Sequence, residues 1–492
     1  MTQLRWWQQA TFYQIYPRSF ADGNGDGIGD FSGIIAKLDY LKSLNVDALW
    51  LSPHFRSPNA DMGYDVSDYT DIGPEYGTMA DFRRFLDEAH ARGLRVVLDL
   101  VLNHTSDQHP WFIESRASRH SPKRDWYIWR DPAPDGGPPN NWCSAFGGSA
   151  WEYDPHTGQY YYHFFFKQQP DLNWRNPEVK QAMWQVVRFW LDQGVDGFRL
   201  DAIGTIFEHP DYPDHQSDLS QIDMLRVWRE NRSPEAQQAL MVKFNKMFEH
   251  QFGQPDVHLL MKELRALMDT YLGDRVLIGE DDDIAYYGNG EDELHLVFNF
   301  PLMRTNRITP AWVRANQAER LRSLPPGAWP CNVLGNHDVS RMRSAFGDGQ
   351  HDEEIARVNA ALLLTLRDTP VIYNGEEIGM TDLNLRALRA TARQPGGQSV
   401  PPGHQRRHFP GRSDADGSAH HARSLSHAHA VGQCPERRLQ PARCADLAAG
   451  ESELRSGHQR GRAGRRSALD AELLSPPAGR AQAHAGAARR RL

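Results

Sequence analysis

A closed (β/α)8 barrel, an α/β fold of the TIM type with a small domain inserted after its third strand, is what the sequence predicts, and three observations predict it. Up to about residue 384, eight short β-branched or apolar runs alternate with longer amphipathic helical patterns, the rhythm of βα units around a parallel sheet. The stretch between the third run and the next helical pattern is too long for an ordinary loop, so it reads as a subdomain. Four of the runs end in ionisable or imidazole side chains, which a barrel collects at one rim. With 492 residues, 40% hydrophobic and 10% aromatic, the chain has ample material for such a core and accessory domains.

The candidate strands, in order, are residues 10–19, 46–53, 94–102, 197–202, 275–279, 296–300, 332–334 and 370–373. Residues 1–104 and 177–384 are thereby assigned to the barrel. Residues 105–176, rich in aromatics, Pro, Gly and Asn, form the inserted domain, and a helix is predicted over 177–193. The aromatic cluster Trp142, Trp151, Tyr160, Tyr161, Tyr162, Phe164, Phe165 and Phe166 is expected to build that domain's core, with one or two rings free to stack on a ligand. A second insertion, over about 208–262, carries charged, helix-like segments.

Residues 385–492 differ in kind. They hold no Trp, Tyr, Ile, Met, Lys or Asn, a single aromatic in Phe409, and 19 Arg against 8 Asp plus Glu. Such a composition buries little apolar area, so the segment is expected to be disordered. Its Arg, Ala, Gly and Pro are what out-of-frame translation of a GC-rich gene supplies; a basic interaction tail is the rival reading. The net charge of −8 argues against a nucleic-acid partner. Cys143, Cys331, Cys434 and Cys444 form neither a disulfide framework nor a tight metal-ligand spacing, which fits a reducing compartment. Residues 1–10 lack the apolar stretch of a secretory signal, and no apolar run reaches the length of a membrane span. The expectation is a cytoplasmic protein with no membrane partner.

The chemistry is concentrated at strand ends. In Gly197-Phe198-Arg199-Leu200-Asp201-Ala202, side chains two apart share a strand face, so Arg199 and Asp201 point together. A neighbouring guanidinium favours the ionised carboxylate that a nucleophile needs. Alone, the pair would read as a strand-end ion pair. It is joined by Asp99-Leu100-Val101-Leu102-Asn103-His104, by Ile278-Gly279-Glu280 and by Leu334-Gly335-Asn336-His337-Asp338. Clustered carboxylates add nothing to stability, so four such ends point to catalysis. Elsewhere, Asp22-Gly-Asn24-Gly-Asp26-Gly-Ile28-Gly-Asp30 sets oxygen ligands on alternate residues, as a hard cation prefers. Its twelfth position is Gly33, so it is no EF-hand, and a metal-free Gly/Asp turn is the plain alternative.

The four strand-end segments, in this order, resemble the signature regions of glycoside hydrolase family 13, the α-amylase family. Gln169-Pro170-Asp171-Leu172-Asn173 resembles that family's motif in the inserted domain, Asp61-Met62-Gly63-Tyr64-Asp65 its segment around the non-reducing glucose, and residues 12–20 its opening strand. The likeness spans roughly residues 5–384 and is greatest to α-glucosidases and oligo-1,6-glucosidases. It implies a small oligosaccharide substrate, with Asp201 as nucleophile, Glu280 as acid and base, and Asp338 gripping the distorted sugar, with retention of configuration. Arg199 would orient Asp201, while Asp61, Tyr64, His104 and His337 would bind the terminal glucose. It also implies a structural Ca²⁺ or Mg²⁺ held by Asp22, Asn24, Asp26 and Asp30 with the Ile28 carbonyl. Ala202, where 1,6-cleaving members would carry Val, leans the expectation to α-1,4 bonds. A glucosyl transferase or isomerase on the same carboxylates is the rival; a non-enzymatic relative would need a membrane segment and lost carboxylates. The family's last barrel helix and C-terminal β-sandwich are not readable in 385–492, so an unstable or weakly active chain is expected.

Overall fold

A computed structural model describes residues 4–216, 239–240, 242–243 and 246–383. The expectations for 385–492, disorder and a missing β-sandwich, lie outside the described residues.

The chain enters with β1 (Phe12–Ile15) and β2 (Ala48–Leu51), adds the hairpin β3 (Phe55–Arg56) and β4 (Asp68–Ile72), and continues into β5 (Arg95–Val101). The inserted stretch contributes β6 (Trp129–Arg130), β7 (Trp151–Asp154) and β8 (Gln159–Tyr162). Then come β9 (Gly197–Asp201), β10 (Val276–Gly279), β11 (Leu296–Val297), β12 (Cys331–Val333) and β13 (Thr369–Tyr373). Eight of these form one parallel sheet in the order β11-β10-β9-β5-β2-β1-β13-β12. Its two ends meet through a parallel bridge between Phe298 and Cys331, and the Asn299 N–H donates to the Cys331 carbonyl at 2.9 Å. The sheet is therefore a (β/α)8 barrel, with β6-β8-β7 a separate antiparallel sheet.

Most strands are shorter than their apolar runs, and in two of them a proline supplies the reason. Pro17, without an N–H to give a ladder, opens a helical turn over Pro17–Phe20 and ends β1. In the sixth unit, Pro301 sits in the turn Phe300–Met303, which leaves only Leu296–Val297 as strand. The β3–β4 hairpin has no counterpart among the predicted strands, because the charged Asp68 and Asp71 dilute its alternation.

Period-two alternation sorts the strand residues into two layers. Phe12, Ala48, Trp50, Val97, Val276, Ile278, Leu296 and Phe298 pack with one another in one cluster. Their neighbours Tyr13, Leu49, Leu51, Val96, Leu98, Phe198, Leu200, Leu277 and Val297 pack in another, together with residues of the surrounding helices. Those helices include α1 (Met79–Ala91), α2 (Pro177–Gln193) and α3 (Asp256–Met268). Thr78 and Asp81 close a capping box on α1. In α2, Asn176 caps the first turn, Pro177 occupies its first position, and Gly194 ends it in the left-handed region at φ 102°. Val179, Met183, Val187, Trp190 and Leu191 on α2 are buried at helical spacing. At roughly 1.5–3 kcal/mol for each fully buried apolar side chain, this face contributes on the order of 10 kcal/mol before chain entropy is charged against it. Gly197 starts β9 against β10, where a Cβ would lie 2.1 Å from the Val276 carbonyl oxygen, so no other residue fits.

In the inserted stretch Trp142, Trp151, Tyr162, Phe164 and Phe165 share a core with Met247 and Phe248. A bridge from His104 to Asp171 ties this stretch to the end of β5, and one from Tyr127 to Leu172 closes it on itself. No helix among the described residues is long and apolar enough to cross a membrane.

Candidate active site

The inward-facing parity of the strands carries polar groups into the barrel mouth: Gln14 on β1, Asp99 on β5, Arg199 and Asp201 on β9, and Glu280 directly after β10. Asp99 and Arg199 are register partners across β5 and β9. Ile278 pairs with Arg199 across β9 and β10, which brings Glu280 level with Asp201. The Arg199 guanidinium, 1% exposed, becomes the node. Its Nη1 donates to Asp99 Oδ1 and to Asp201 Oδ1, each at 2.7 Å, and its Nη2 lies 2.8 Å from Glu280 Oε2.

Asp99 is satisfied on both oxygens, since Oδ2 also accepts from Trp50 Nε1 at 3.1 Å and from the Tyr64 hydroxyl at 3.2 Å. From Tyr64 the network runs to His337, whose Nε2 is 2.5 Å from the phenolic oxygen, the two rings lying stacked at 5.4 Å. Gln14 Nε2 donates to His337 Nδ1 at 2.9 Å, which leaves Nε2 as the protonated nitrogen. That Nε2 is also 3.3 Å from Asp338 Oδ2. On the other flank, Gln169 Nε2 donates to Asp61 Oδ2 at 2.9 Å and lies 2.9 Å from His104 Nε2. His104 in turn contacts the Tyr64 carbonyl at 3.2 Å. Asp61, Tyr64, His104, Arg199, Asp201, Glu280, His337 and Asp338 thus share one continuous hydrogen-bonded cluster.

Burial sets the electrostatics. One guanidinium faces three carboxylates in a low-dielectric pocket, and full ionisation of all three is disfavoured. Burial pushes the Glu280 carboxyl up; Arg199 pulls it back, while Asp201 and Asp338 push it further. Asp99 is raised in the same way, first by burial. The Glu280 and Asp338 side chains remain 20% and 25% exposed, so both open toward the mouth, whereas Asp201 is 5% exposed. Ala202, directly after Asp201, adopts φ 43° and ψ 47°, a strained conformation for a residue with a Cβ. In that turn its N–H donates to Glu280 Oε2 at 2.9 Å and fixes the carboxylate.

The acids that follow Glu280 are engaged elsewhere. Asp281, raised to about 6 by burial, accepts from the Asp282 and Asp283 amides; Asp282 pairs with Arg304; and Asp283 caps the turn Ile284–Tyr287. Four participants carry no assigned role in the sequence reading of the site, Gln14, Trp50, Asp99 and Gln169, although Asp99 and Gln169 stand in motifs quoted there. For Asp99 and Gln14 a signal existed, a polar residue breaking an otherwise apolar strand at inward parity. Trp50 gives none, since an apolar side chain on a strand reads as core.

Residues 22–27 of the loop lie on the surface, and the loop turns inward to the buried Asp30. Asp22 accepts the amides of Asn24, Gly25 and Gly27, which hold its carboxyl below the usual range. Asn24 accepts from Asp26, Asp26 from Ile28, and Asp30 from Gly23 and Gly33. Gly25 and Gly27 take φ 85° and 90°, which alternate Asx turns require. The donor set is all oxygen, and the carboxylates keep further lone pairs, so the residues fit a hard cation.

Compared with known proteins, the chain matches the family described as "Alpha amylase, catalytic domain" over residues 14–423. It is 45% identical over 402 residues to an oligo-1,6-glucosidase of Parageobacillus thermoglucosidasius, covering 78% of this chain and 67% of that protein. Over 390 residues it is 45% identical to a probable alpha-glucosidase of Rhizobium meliloti, covering 77% and 68%. Among solved structures, an alpha-glucosyl transfer enzyme superposes with a TM-score of 0.70 at 44% identity, covering 78% of this chain and 70% of that one. An isomaltulose synthase mutant from Erwinia rhapontici NX5, in complex with sucrose, gives 0.68 at 42% identity, covering 78% and 67%.

Proposed function

The chain belongs to the α-amylase family of glycoside hydrolases, and from that premise we propose that it is a retaining α-glucosidase. Its substrates are short oligosaccharides, whose terminal α-glucosidic bond, α-1,4 in preference, it cleaves through a covalent glucosyl-enzyme. The observation that carries this reading is the grip of a single guanidinium on Asp201 and Glu280, two carboxyls at adjacent strand ends, of which Glu280 is raised by burial and by its acidic neighbours.

In this reading Asp201, held by Arg199 against the β9 end, attacks the anomeric carbon. Glu280, kept protonated by burial and by its acidic neighbours, delivers its proton to the departing glycosidic oxygen. Once the aglycone leaves, the Glu280 carboxylate takes a proton from water, which attacks the anomeric carbon and frees Asp201. Asp338 and His337, beside Tyr64, bind hydroxyls of the distorted ring; Asp61 and His104, bridged by Gln169, close the far side and limit the pocket to a terminal residue. The loop 22–30 is proposed to hold a structural Ca²⁺ or Mg²⁺ through Asp22, Asn24, Asp26, Asp30 and the Ile28 carbonyl, with no part in the chemistry.

The test is to incubate the protein with maltose and isomaltose in parallel and follow the first-formed anomer by NMR. Release of α-glucose, faster from maltose, is expected; β-glucose as the first product would overturn retention. A second reading, glucosyl transfer or sucrose isomerisation, is favoured by the described activities of the structural neighbours. It differs only in which hydroxyl reaches the glucosyl-enzyme. Incubation with sucrose separates the two: glucose plus fructose supports hydrolysis, a rearranged disaccharide supports the isomerase.

A further inference from the structure

Where the segment after β9 meets the inserted stretch, three side chains outside the barrel mouth converge. His215, Glu249 and His250 each offer one ligand atom, and the three atoms lie within 4.8 Å of one another. His215 is 7% exposed, and its Nδ1 has no hydrogen-bond partner. Its other nitrogen is committed. Gln251 donates its amide nitrogen to the Cys143 carbonyl at 3.1 Å and to the Tyr162 hydroxyl at 3.0 Å, which turns Gln251 Oε1 toward His215 Nε2 at 2.9 Å. An amide oxygen only accepts, so the proton of His215 sits on Nε2 and Nδ1 presents a bare lone pair. A buried imidazole with its far N–H anchored by a fixed acceptor is how proteins prepare a metal ligand.

The neighbours complete the set. The His250 ring stacks on that of His215 at 5.0 Å, and its Nε2 is 3.6 Å from Glu249 Oε1. His209, edge-on to His250, is excluded because its Nδ1 accepts the Asp211 amide and its proton therefore lies on Nε2. Lys246 now pairs with both Glu249 oxygens at 2.8 and 2.7 Å, a monovalent stand-in on the exposed side. Backbone contacts hold His215 in place: its N–H donates to Asn141 Oδ1 at 2.8 Å, and Asn141 Nδ2 donates to its carbonyl at 2.9 Å.

We propose that His215, Glu249 and His250 form a divalent-metal site of the Zn²⁺ class that ties residue 215 to residues 249–250 within the segment after β9, beside its contacts with the inserted stretch. Two imidazoles and one carboxylate with an open fourth position suit a tetrahedral borderline ion. Metal–ligand bonds of about 2.0–2.2 Å place tetrahedral ligand atoms about 3.4 Å apart, so side-chain rotation closes the site and displaces Lys246.

The experiment is equilibrium dialysis of the full chain against Zn²⁺ with Ca²⁺ present in excess, read by metal analysis, with Co²⁺ as the spectroscopic probe. Because H215A removes a buried ring and can fail to fold, H250A and E249Q are the working variants; both lie outside the catalytic cluster and should keep activity on maltose. Wild type is expected to take up one Zn²⁺ that H250A binds at least ~100-fold more weakly, beyond the ~10–100-fold loss an outer partner such as Q251A should cause. Zn²⁺ should raise the Tm of the wild type and leave that of H250A unmoved. Absence of Zn²⁺ uptake by the wild type overturns the proposal. So does equal uptake by wild type, H250A and E249Q, which would assign the metal to other histidines such as those of 385–492.

Discussion

The barrel mouth and the loop 22–30 both gather acidic side chains, and they neutralise them in opposite ways. In the loop, carboxylates accept backbone amides, and the exposed Asp22 is held more acidic than usual by Gly27, Gly25 and Asn24. At the mouth, the buried Asp99 and the partly exposed Glu280 stand beside Asp201 on one shared guanidinium, and desolvation makes both less acidic. Residue type alone therefore does not fix the ionisation of a carboxylate; the dielectric around it decides. A group ready to give up a proton near neutrality arises at the mouth, while in the loop the Asp22 carboxyl is held below its usual range.

The comparison breaks hardest if the mouth is not catalytic. Asp201→Asn and Glu280→Gln are each expected to lower kcat on maltose by about 10⁴-fold or more while the fold persists by circular dichroism. Retention of wild-type turnover in either would remove that carboxylate from the mechanism.

Next comes the shared guanidinium. Asp99→Ala takes away the carboxylate that Arg199, Trp50 and Tyr64 all address, and breaking such a buried ion pair should cost about 3–5 kcal/mol of stability in urea titrations. A loss within the scatter of a surface substitution would mean that Asp99 is dispensable to the node.

The pH profile sharpens the contrast. With its folded pKa raised, Glu280 acts as an acid up to that value, so kcat/KM should decline as pH rises through it. Asp338→Asn deletes one of the charges that raise it, so among whatever activity remains the alkaline limb should move to lower pH. Linkage gives the sign for stability. Folding binds protons at Glu280 and Asp99 in excess of the unfolded chain, so their contribution is complete below the unfolded carboxyl range and fades as pH rises through the folded values. A stability optimum insensitive to both Asp99→Asn and Glu280→Gln would contradict this.

The smallest effect belongs to the loop. Chelation followed by Ca²⁺ addition should shift Tm by about 2–4 °C with kcat unchanged. An equal response from Asp26→Ala would place any bound ion elsewhere.

Much of this was legible in the chain. Period-two alternation in Val96–Val101, in 197–201 and in 276–280 identifies which residues look inward, and parity alone sets Arg199 beside Asp201. The hairpin β3–β4 stayed hidden because two aspartates interrupt its pattern, Trp50 stayed hidden because its role depends on a distant partner, and the motif that opens with Gln169 was legible without its partners Asp61 and His104.

What the sequence determined by itself was the order of βα units, the rim on which the ionisable residues fall, and the oxygen spacing of loop 22–30, all of which follow from local periodicity and side-chain chemistry. The tertiary structure alone decided that Asp99 and Arg199, 100 residues apart, and Gln14 and His337, 323 apart, would share one network, and that His215 would come within reach of Glu249 and His250. Those pairings depend on inter-strand register and barrel closure, and local periodicity fixes the face of a strand without fixing what lies across from it.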